Sequence, residues 1–119
     1  MTREPAVVAV ISRVPLISEA VSGALEGIAD VRWFPADAGD AGGLVRSLRP
    51  SAIVVDSEDV AGDVEPAAGD VDAVLLHVLL QEGTVRVLRD GVWEDAEGPA
   101  SPNAIRNLIV GAVYGTRTP

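Results

Sequence analysis

The stretch Ala52-Ile53-Val54-Val55-Asp56 decides the fold of this chain, because it is a short apolar run that ends in one carboxylate. An apolar run of about four to eight residues is typical of a strand that is covered on both faces. Residues 6–11 form a second run of this kind. Ligands of open α/β sheets bind beyond the carboxyl ends of parallel strands. The sequence therefore predicts a site around Asp56.

Helical patterns surround these two strands. Apolar residues recur at helical spacing from Pro15 to about Glu26 and, more weakly, from Asp40 to Leu48. A strand is predicted at 31–34 and another at 73–79. The acidic segment 57–72 is rich in glycine, alanine and proline, so we expect a loop there with one or two helical turns at most.

The last third of the chain has a different pattern. Strands predicted at 84–89 and 92–95 flank Asp90-Gly91, which is a strong signal for a two-residue hairpin turn. Ser101-Pro102 predicts a cap and first turn for a final helix. The alternation of strands and helices before the hairpin predicts an α/β fold with a parallel sheet covered on both faces.

Composition limits the classes of protein to consider. A chain of 119 residues, 48% hydrophobic and 23% charged, has the length and composition of one globular domain over residues 1–119. The net charge of −9 argues against nucleic acid and against an anionic membrane surface as partners. The nine basic residues are all arginines, scattered among 18 acids.

Other residue counts exclude particular sites. Cysteine is absent, so disulfides, thiolate metal sites and cysteine nucleophiles are excluded. One histidine among scattered acids gives no support for a metal site, and we expect no cofactor. No apolar run approaches the roughly 18 residues that a membrane span needs, so we expect a cytoplasmic protein.

Two segments resemble the receiver domain of two-component response regulators. Ser12-Arg13-Val14-Pro15-Leu16-Ile17-Ser18-Glu19-Ala20-Val21 is similar to the family's first loop and helix, and Pro50-Ser51-Ala52-Ile53-Val54-Val55-Asp56 to its phosphoacceptor strand. The resemblance implies a three-layer receiver-like (flavodoxin-like) sandwich with a mostly parallel sheet. A C-terminal β-hairpin would replace the region of the family's fourth helix.

The resemblance also implies a vestigial phosphoacceptor site. Asp56 stands at the phosphorylated position, while Ser12 and Arg13 stand where the family has two acidic residues that bind Mg²⁺. The chain has no lysine, so Arg89 is the nearest substitute for the family's lysine, and His77 aligns with its Ser/Thr. An arginine beside Asp56 would repel Mg²⁺ and form a closed ion pair. We therefore expect a degenerate receiver and not an enzyme.

Each of these residues also has a plain structural interpretation. Asp56 could be a strand-end turn residue, and Arg13 an exposed loop residue as readily as a partner of Asp56. For His77 we favour a neutral core histidine, with a pH switch through Asp56 as the alternative.

We expect this protein to act through a partner protein, since the sequence contains no DNA-binding pattern. The candidate interface residues are Trp93, Ile105, Ile109, Val110 and Tyr114. They suggest a homodimer through the last helix and the hairpin.

Three functions remain open. The first is a stand-alone, phosphorylation-independent regulatory module for protein interaction. The second is a small-molecule sensor that uses the cleft over Ser12, Arg13, Asp56 and Ser57. The third is an active phosphoacceptor.

Overall fold

The computed structural model describes residues 6–36, 39–96 and 98–113. Ten elements follow one another along the chain. They are β1 (Ala6–Ser12), α1 (Pro15–Ala24), β2 (Ala29–Pro35), α2 (Ala41–Leu48), β3 (Ala52–Val55), α3 (Glu58–Asp70), β4 (Val74–Leu79), β5 (Thr84–Arg89), β6 (Val92–Asp95) and α4 (Pro102–Val113).

The strands form one six-stranded sheet in the order β2-β1-β3-β4-β5-β6. The pairs β1–β2, β1–β3 and β3–β4 are parallel, whereas β4–β5 and β5–β6 are antiparallel. The predicted flavodoxin-like sandwich with a mostly parallel sheet is therefore wrong, although helices do cover both faces of the sheet. The molecule has a mixed α/β fold whose C-terminal strands are antiparallel.

The turn between β4 and β5 causes this difference. Only residues 80–83 separate the two strands, whereas a parallel connection needs about a dozen residues or more. The backbone N–H of Gly83 donates to the carbonyl of Leu79 at 2.7 Å, and Gly83 takes a φ of 70° that favours glycine. The chain consequently reverses at once, and β5 lies antiparallel beside β4.

The strands on either side of Asp90-Gly91 form a hairpin with the bounds expected from the sequence. Asp90 and Gly91 have φ values of 54° and 80°. A type I′ turn requires positive φ at both central residues, and its twist matches that of the paired strands.

Two apolar clusters fill the two faces of the sheet. On one face α1 and α4 pack on Val8, Val10, Val54, Leu76 and Val87. On the other face α2 and α3 pack on Ile11, Ile53, Val55, Leu75 and Leu88. Strand residues alternate between the clusters, as the period of two in a β-strand requires.

Helix α3 occupies the segment that was predicted to be a loop, so that prediction is wrong. The Ser57 side chain accepts a hydrogen bond from the Val60 backbone N–H at 3.4 Å and caps the helix. Acidic side chains in the first turn suit the positive end of the helix dipole. A buried stripe then recurs at helical spacing: Val60, Ala61, Val64, Ala67 and Ala68.

Within the described residues, no helix is both long enough and apolar enough to cross a membrane.

Candidate functional site

The carboxyl ends of β1, β3 and β4 meet at one edge of the sheet. Ile11 pairs with Val55 and Val55 pairs with His77, so Ser12 and Asp56 follow neighbouring strands there. The structure thus brings Ser12 and Asp56 to one edge, where the strand pattern placed them. His77 lies at the same edge, where the resemblance to receiver domains placed it.

Ser12 has a structural role at this edge. Its side chain is fully buried, with 0% exposed. Its Oγ donates to the Val14 carbonyl at 3.0 Å and accepts from Trp33 Nε1 at 3.2 Å. Because these bonds tie the loop after β1 to β2, the Ser12 hydroxyl is not free for a ligand.

The structure does not contain the closed ion pair that was expected at Asp56. Arg13 is exposed, and none of the ion pairs among the described residues involves Asp56. Asp56 itself is half-buried, and its Oδ1 is buried with no hydrogen-bond partner among the described residues. A buried acceptor without a donor costs about 1–3 kcal/mol.

Arg89 lies away from Asp56, at the other end of the sheet. Strand β5 runs antiparallel to β4, with Arg86 opposite His77 and Leu88 opposite Leu75. Arg89 therefore lies toward the amino end of β4, whereas Asp56 follows the carboxyl end of β3. Arg86 is the arginine that reaches the predicted site.

His77 is buried, with 7% of its surface exposed. Burial is the largest influence and lowers the pKa of His77 below the ordinary value of 6.5. The Arg86 charge lowers this pKa further, while the carboxylates of Glu58, Asp56 and Glu82 oppose the shift. The direction of this shift favours the neutral imidazole, but His77 lines an open groove and has no hydrogen-bond partner among the described residues, unlike the satisfied core histidine that was expected.

Two adjoining cavities open beside His77, on the face of the sheet that carries α3. The smaller has a volume of about 440 Å³ and also contacts Asp56, Leu80 and Gln81. The larger has a volume of about 790 Å³ and lies between α3 and the β5–β6 hairpin. Both are lined by Glu58, His77, Leu79 and Glu82.

We name the combined groove the acidic trench. Its charged and aromatic lining residues, including the imidazole, are Asp56, Glu58, Glu65, His77, Glu82, Arg86, Trp93 and Asp95. Five of them are carboxylates and one is a guanidinium, so the groove is strongly negative. Helix α3 packs on β3 and β4, and the groove lies between α3 and the outer strands β5 and β6.

The far wall of the acidic trench is held by side-chain contacts. The Arg86 guanidinium lies 5.1 Å from the centroid of the Trp93 ring, and Arg86 Nε lies 3.4 Å from Asp95 Oδ1. Trp93 Nε1 donates to Glu65 Oε1 at 3.3 Å. Each contact is partly exposed and individually weak, but together they link the hairpin to α3 and orient the indole.

The described residues offer no metal centre. No group of three or more His, Asp or Glu side chains there is arranged to hold an ion.

The predicted interface on α4 is largely part of the protein's own core. Ile105 is 6% exposed and Ile109 is 0% exposed, because both pack beneath α4 against the sheet. Val110 is half-buried against the same cluster. Tyr114 lies outside the described residues. Trp93, by contrast, lines an open groove.

Sequence reasoning missed Arg86, Glu65 and Glu82 as neighbours of His77. The Arg86 position follows from the antiparallel register of β4 and β5, which the short connection 80–83 could have revealed. Glu65 reaches the site only because 57–72 contains a helix, which the composition argued against.

Comparisons with models of protein families, with curated proteins and with solved structures find no match for this chain. The resemblance to receiver domains therefore stays a prediction.

Proposed function

We propose that this protein is a non-catalytic module for protein interaction that binds its partner in the acidic trench, independently of phosphorylation. The observation that carries the proposal is the open sheet face beside α3, where Trp93 and Arg86 line a groove that α3 leaves uncovered. Tryptophan and arginine are enriched among the residues that dominate binding energies at protein interfaces. A regulatory role in the cytoplasm is part of the same proposal.

The surroundings of Asp56 support a role without phosphoryl transfer. Transfer to a carboxylate needs positive charge that offsets the charge on the phosphoryl oxygens. No lysine is present in the chain, and no arginine among the described residues forms an ion pair with Asp56. Ser12 and Arg13 supply no carboxylate that could help to bind Mg²⁺.

The alternative of a small-molecule sensor has weaker support. The cleft expected over Ser12, Arg13, Asp56 and Ser57 has lost two polar groups to the fold, because the Ser12 hydroxyl bonds Val14 and Trp33 and the Ser57 hydroxyl caps α3. The acidic trench is large enough for a small ligand, but its charged, open lining differs from the mostly apolar walls of typical ligand pockets.

Comparative co-purification tests the proposal. The tagged full chain is incubated with lysate of its own organism, and retained proteins are quantified by mass spectrometry. Trp93→Ala and Glu82→Gln should each reduce the retained partner by about tenfold, since residues at the centre of an interface dominate binding. Val92→Ala should retain it, because Val92 lies on β6 but faces the opposite side of the sheet. Equal retention by all four proteins would contradict the proposal.

Phosphorylation has its own test. Incubation with acetyl phosphate and Mg²⁺, followed by intact mass measurement, should leave the mass unchanged. A gain of about 80 Da that Asp56→Asn abolishes would show an active phosphoacceptor and overturn the phosphorylation-independent part of the proposal.

A further inference from the structure

Two polar groups at the inner end of the acidic trench have no hydrogen-bond partner among the described residues. One is Asp56 Oδ1, which is buried. The other is the imidazole of His77, which is more than nine-tenths buried and lines both cavities of the trench. Buried polar groups are nearly always hydrogen-bonded in folded proteins. Both residues line the smaller cavity, so a ligand group placed there lies beside an imidazole and a carboxylate that have no cation between them.

The inference that follows rests on the proposed function and names the chemistry of the partner. We propose that the acidic trench binds a basic segment of a partner protein, with one arginine of that segment inserted between Asp56 and Glu58 above His77.

The charges of the trench select a cation for this position. Glu58 and Glu82 line both cavities and flank His77, and Asp56 lines the smaller cavity beside them. The nearest fixed positive charge, Arg86, pairs with Asp95 and stacks on Trp93. Among the described residues, the carboxylates at the inner end therefore have no ion-pair partner.

Hydrogen-bond geometry favours arginine over lysine. A guanidinium has five N–H donors in a planar fork and can bond two acceptors side by side, whereas an ammonium is a compact point charge. The Asp56 and Glu58 carboxylates line the same cavity and provide acceptors just after β3 and at the start of α3. A neutral imidazole beneath them adds no charge that would repel the guanidinium.

The remainder of the trench suits the rest of such a segment. Glu65 provides a further carboxylate near the Trp93 ring, which can receive an aliphatic or cationic side chain. At the inner end Leu80 is 54% exposed and offers an apolar contact. A basic segment with apolar residues between its arginines would match this order of groups.

The test uses defined peptides and the full chain. The first peptide alternates arginine with alanine over about eight residues, or roughly 26 Å when extended at about 3.3 Å per residue. The second has lysine and the third has citrulline in place of arginine. Binding is measured by calorimetry and by NMR of the imidazole, which is unambiguous because the chain has one histidine.

Matched variants separate binding in the trench from general attraction to a chain of charge −9. Glu58→Gln with Glu82→Gln removes two carboxylates from the trench, and Glu19→Gln with Glu26→Gln removes two exposed carboxylates on or just after α1. We expect the trench pair to weaken binding of the arginine peptide by more than about tenfold. The α1 pair should weaken it by less than about twofold. The His77 resonances should shift saturably.

Several outcomes would overturn the inference. Equal weakening by both variant pairs would show unspecific attraction. Unchanged His77 resonances would place the peptide elsewhere, and a lysine peptide that binds as tightly as the arginine peptide would remove the requirement for a guanidinium. If the peptides fail while co-purification still depends on Trp93 and Glu82, the basic occupant is wrong and the proposed function stands. If both experiments fail, the basic occupant and the proposed function are both wrong.

Discussion

At the scale of single residues, Asp56 is the point where stability and the proposed role oppose each other. Its Oδ1 is buried without a donor among the described residues, whereas its neighbour Ser57 caps α3. An unsatisfied buried acceptor destabilises the free protein. Residues kept for binding often destabilise the protein that carries them.

Removal of the Asp56 carboxylate should therefore stabilise the free protein. Asp56→Ala is expected to raise the free energy of unfolding by about 1 kcal/mol, because it removes the unsatisfied acceptor. Ser57→Ala, the neighbouring control, should lower it by about 0.5–1 kcal/mol through loss of the cap. Urea denaturation measures both. Destabilisation by Asp56→Ala of the same size as the control would show that the carboxylate makes a stabilising contact.

His77 predicts how stability depends on pH. Its pKa in the folded protein lies below the ordinary value of 6.5, so the unfolded chain binds more protons between those two values. The free energy of unfolding should therefore fall as pH falls from about 7 through 6.5 toward the lower, folded-state pKa.

The control for this pH effect is His77→Gln. Because the chain has one histidine, this variant should lose most of the pH dependence between about pH 7 and 5. Urea denaturation at a series of pH values compares the two proteins. A wild-type stability that rises relative to the variant as pH falls would mean that the carboxylates outweigh burial.

At the scale of elements, α3 sets the shape of the acidic trench, yet its sequence is a poor helix former. Pro66 lies inside the helix, and Gly62 and Gly69 lower its helix propensity further. The helix persists because its small apolar residues pack on β3 and β4. Tertiary packing of an amphipathic face is the usual source of helix stability in proteins.

Pro66→Ala should stabilise the protein, since proline in a helix interior lacks the N–H that bonds four residues back. We expect an increase in the free energy of unfolding of about 1–2 kcal/mol, after allowing for the greater freedom of the unfolded chain. Pro102→Ala is the matched control, because Pro102 begins α4, where proline is tolerated. Equal effects of both substitutions in urea denaturation would contradict this account of α3.

The same element shows where prediction from sequence succeeds and where it fails. Strands β5 and β6 were placed correctly because Asp90-Gly91 is a local signal that depends on backbone sterics alone. Helix α3 was missed because glycine, proline and alanine obscure a stripe that only packing stabilises. Ser12 and Asp56 were placed at one edge by the strand pattern, and His77 by the resemblance to receiver domains. Arg86 and Glu65 were not, since their positions depend on the register of β5 and on α3.

At the scale of the whole molecule, the two faces of the sheet have different roles. Helices α1 and α4 close one face over an apolar cluster that includes Ile105 and Ile109. On the other face, α2 and α3 leave the outer strands open beside the acidic trench. A partner that docks there covers existing surface and leaves the core intact, so the backbone of this chain should change little on binding.

The central claim is that the partner binds in the acidic trench, and hydrogen exchange of the purified complex tests it most directly. Compared with the free chain, the complex should show slower exchange at the start of α3, in the turn at 80–83 and along β6. Exchange in α1 and α4 should stay unchanged. Protection confined to α1 and α4, with none along β6, would contradict the claim.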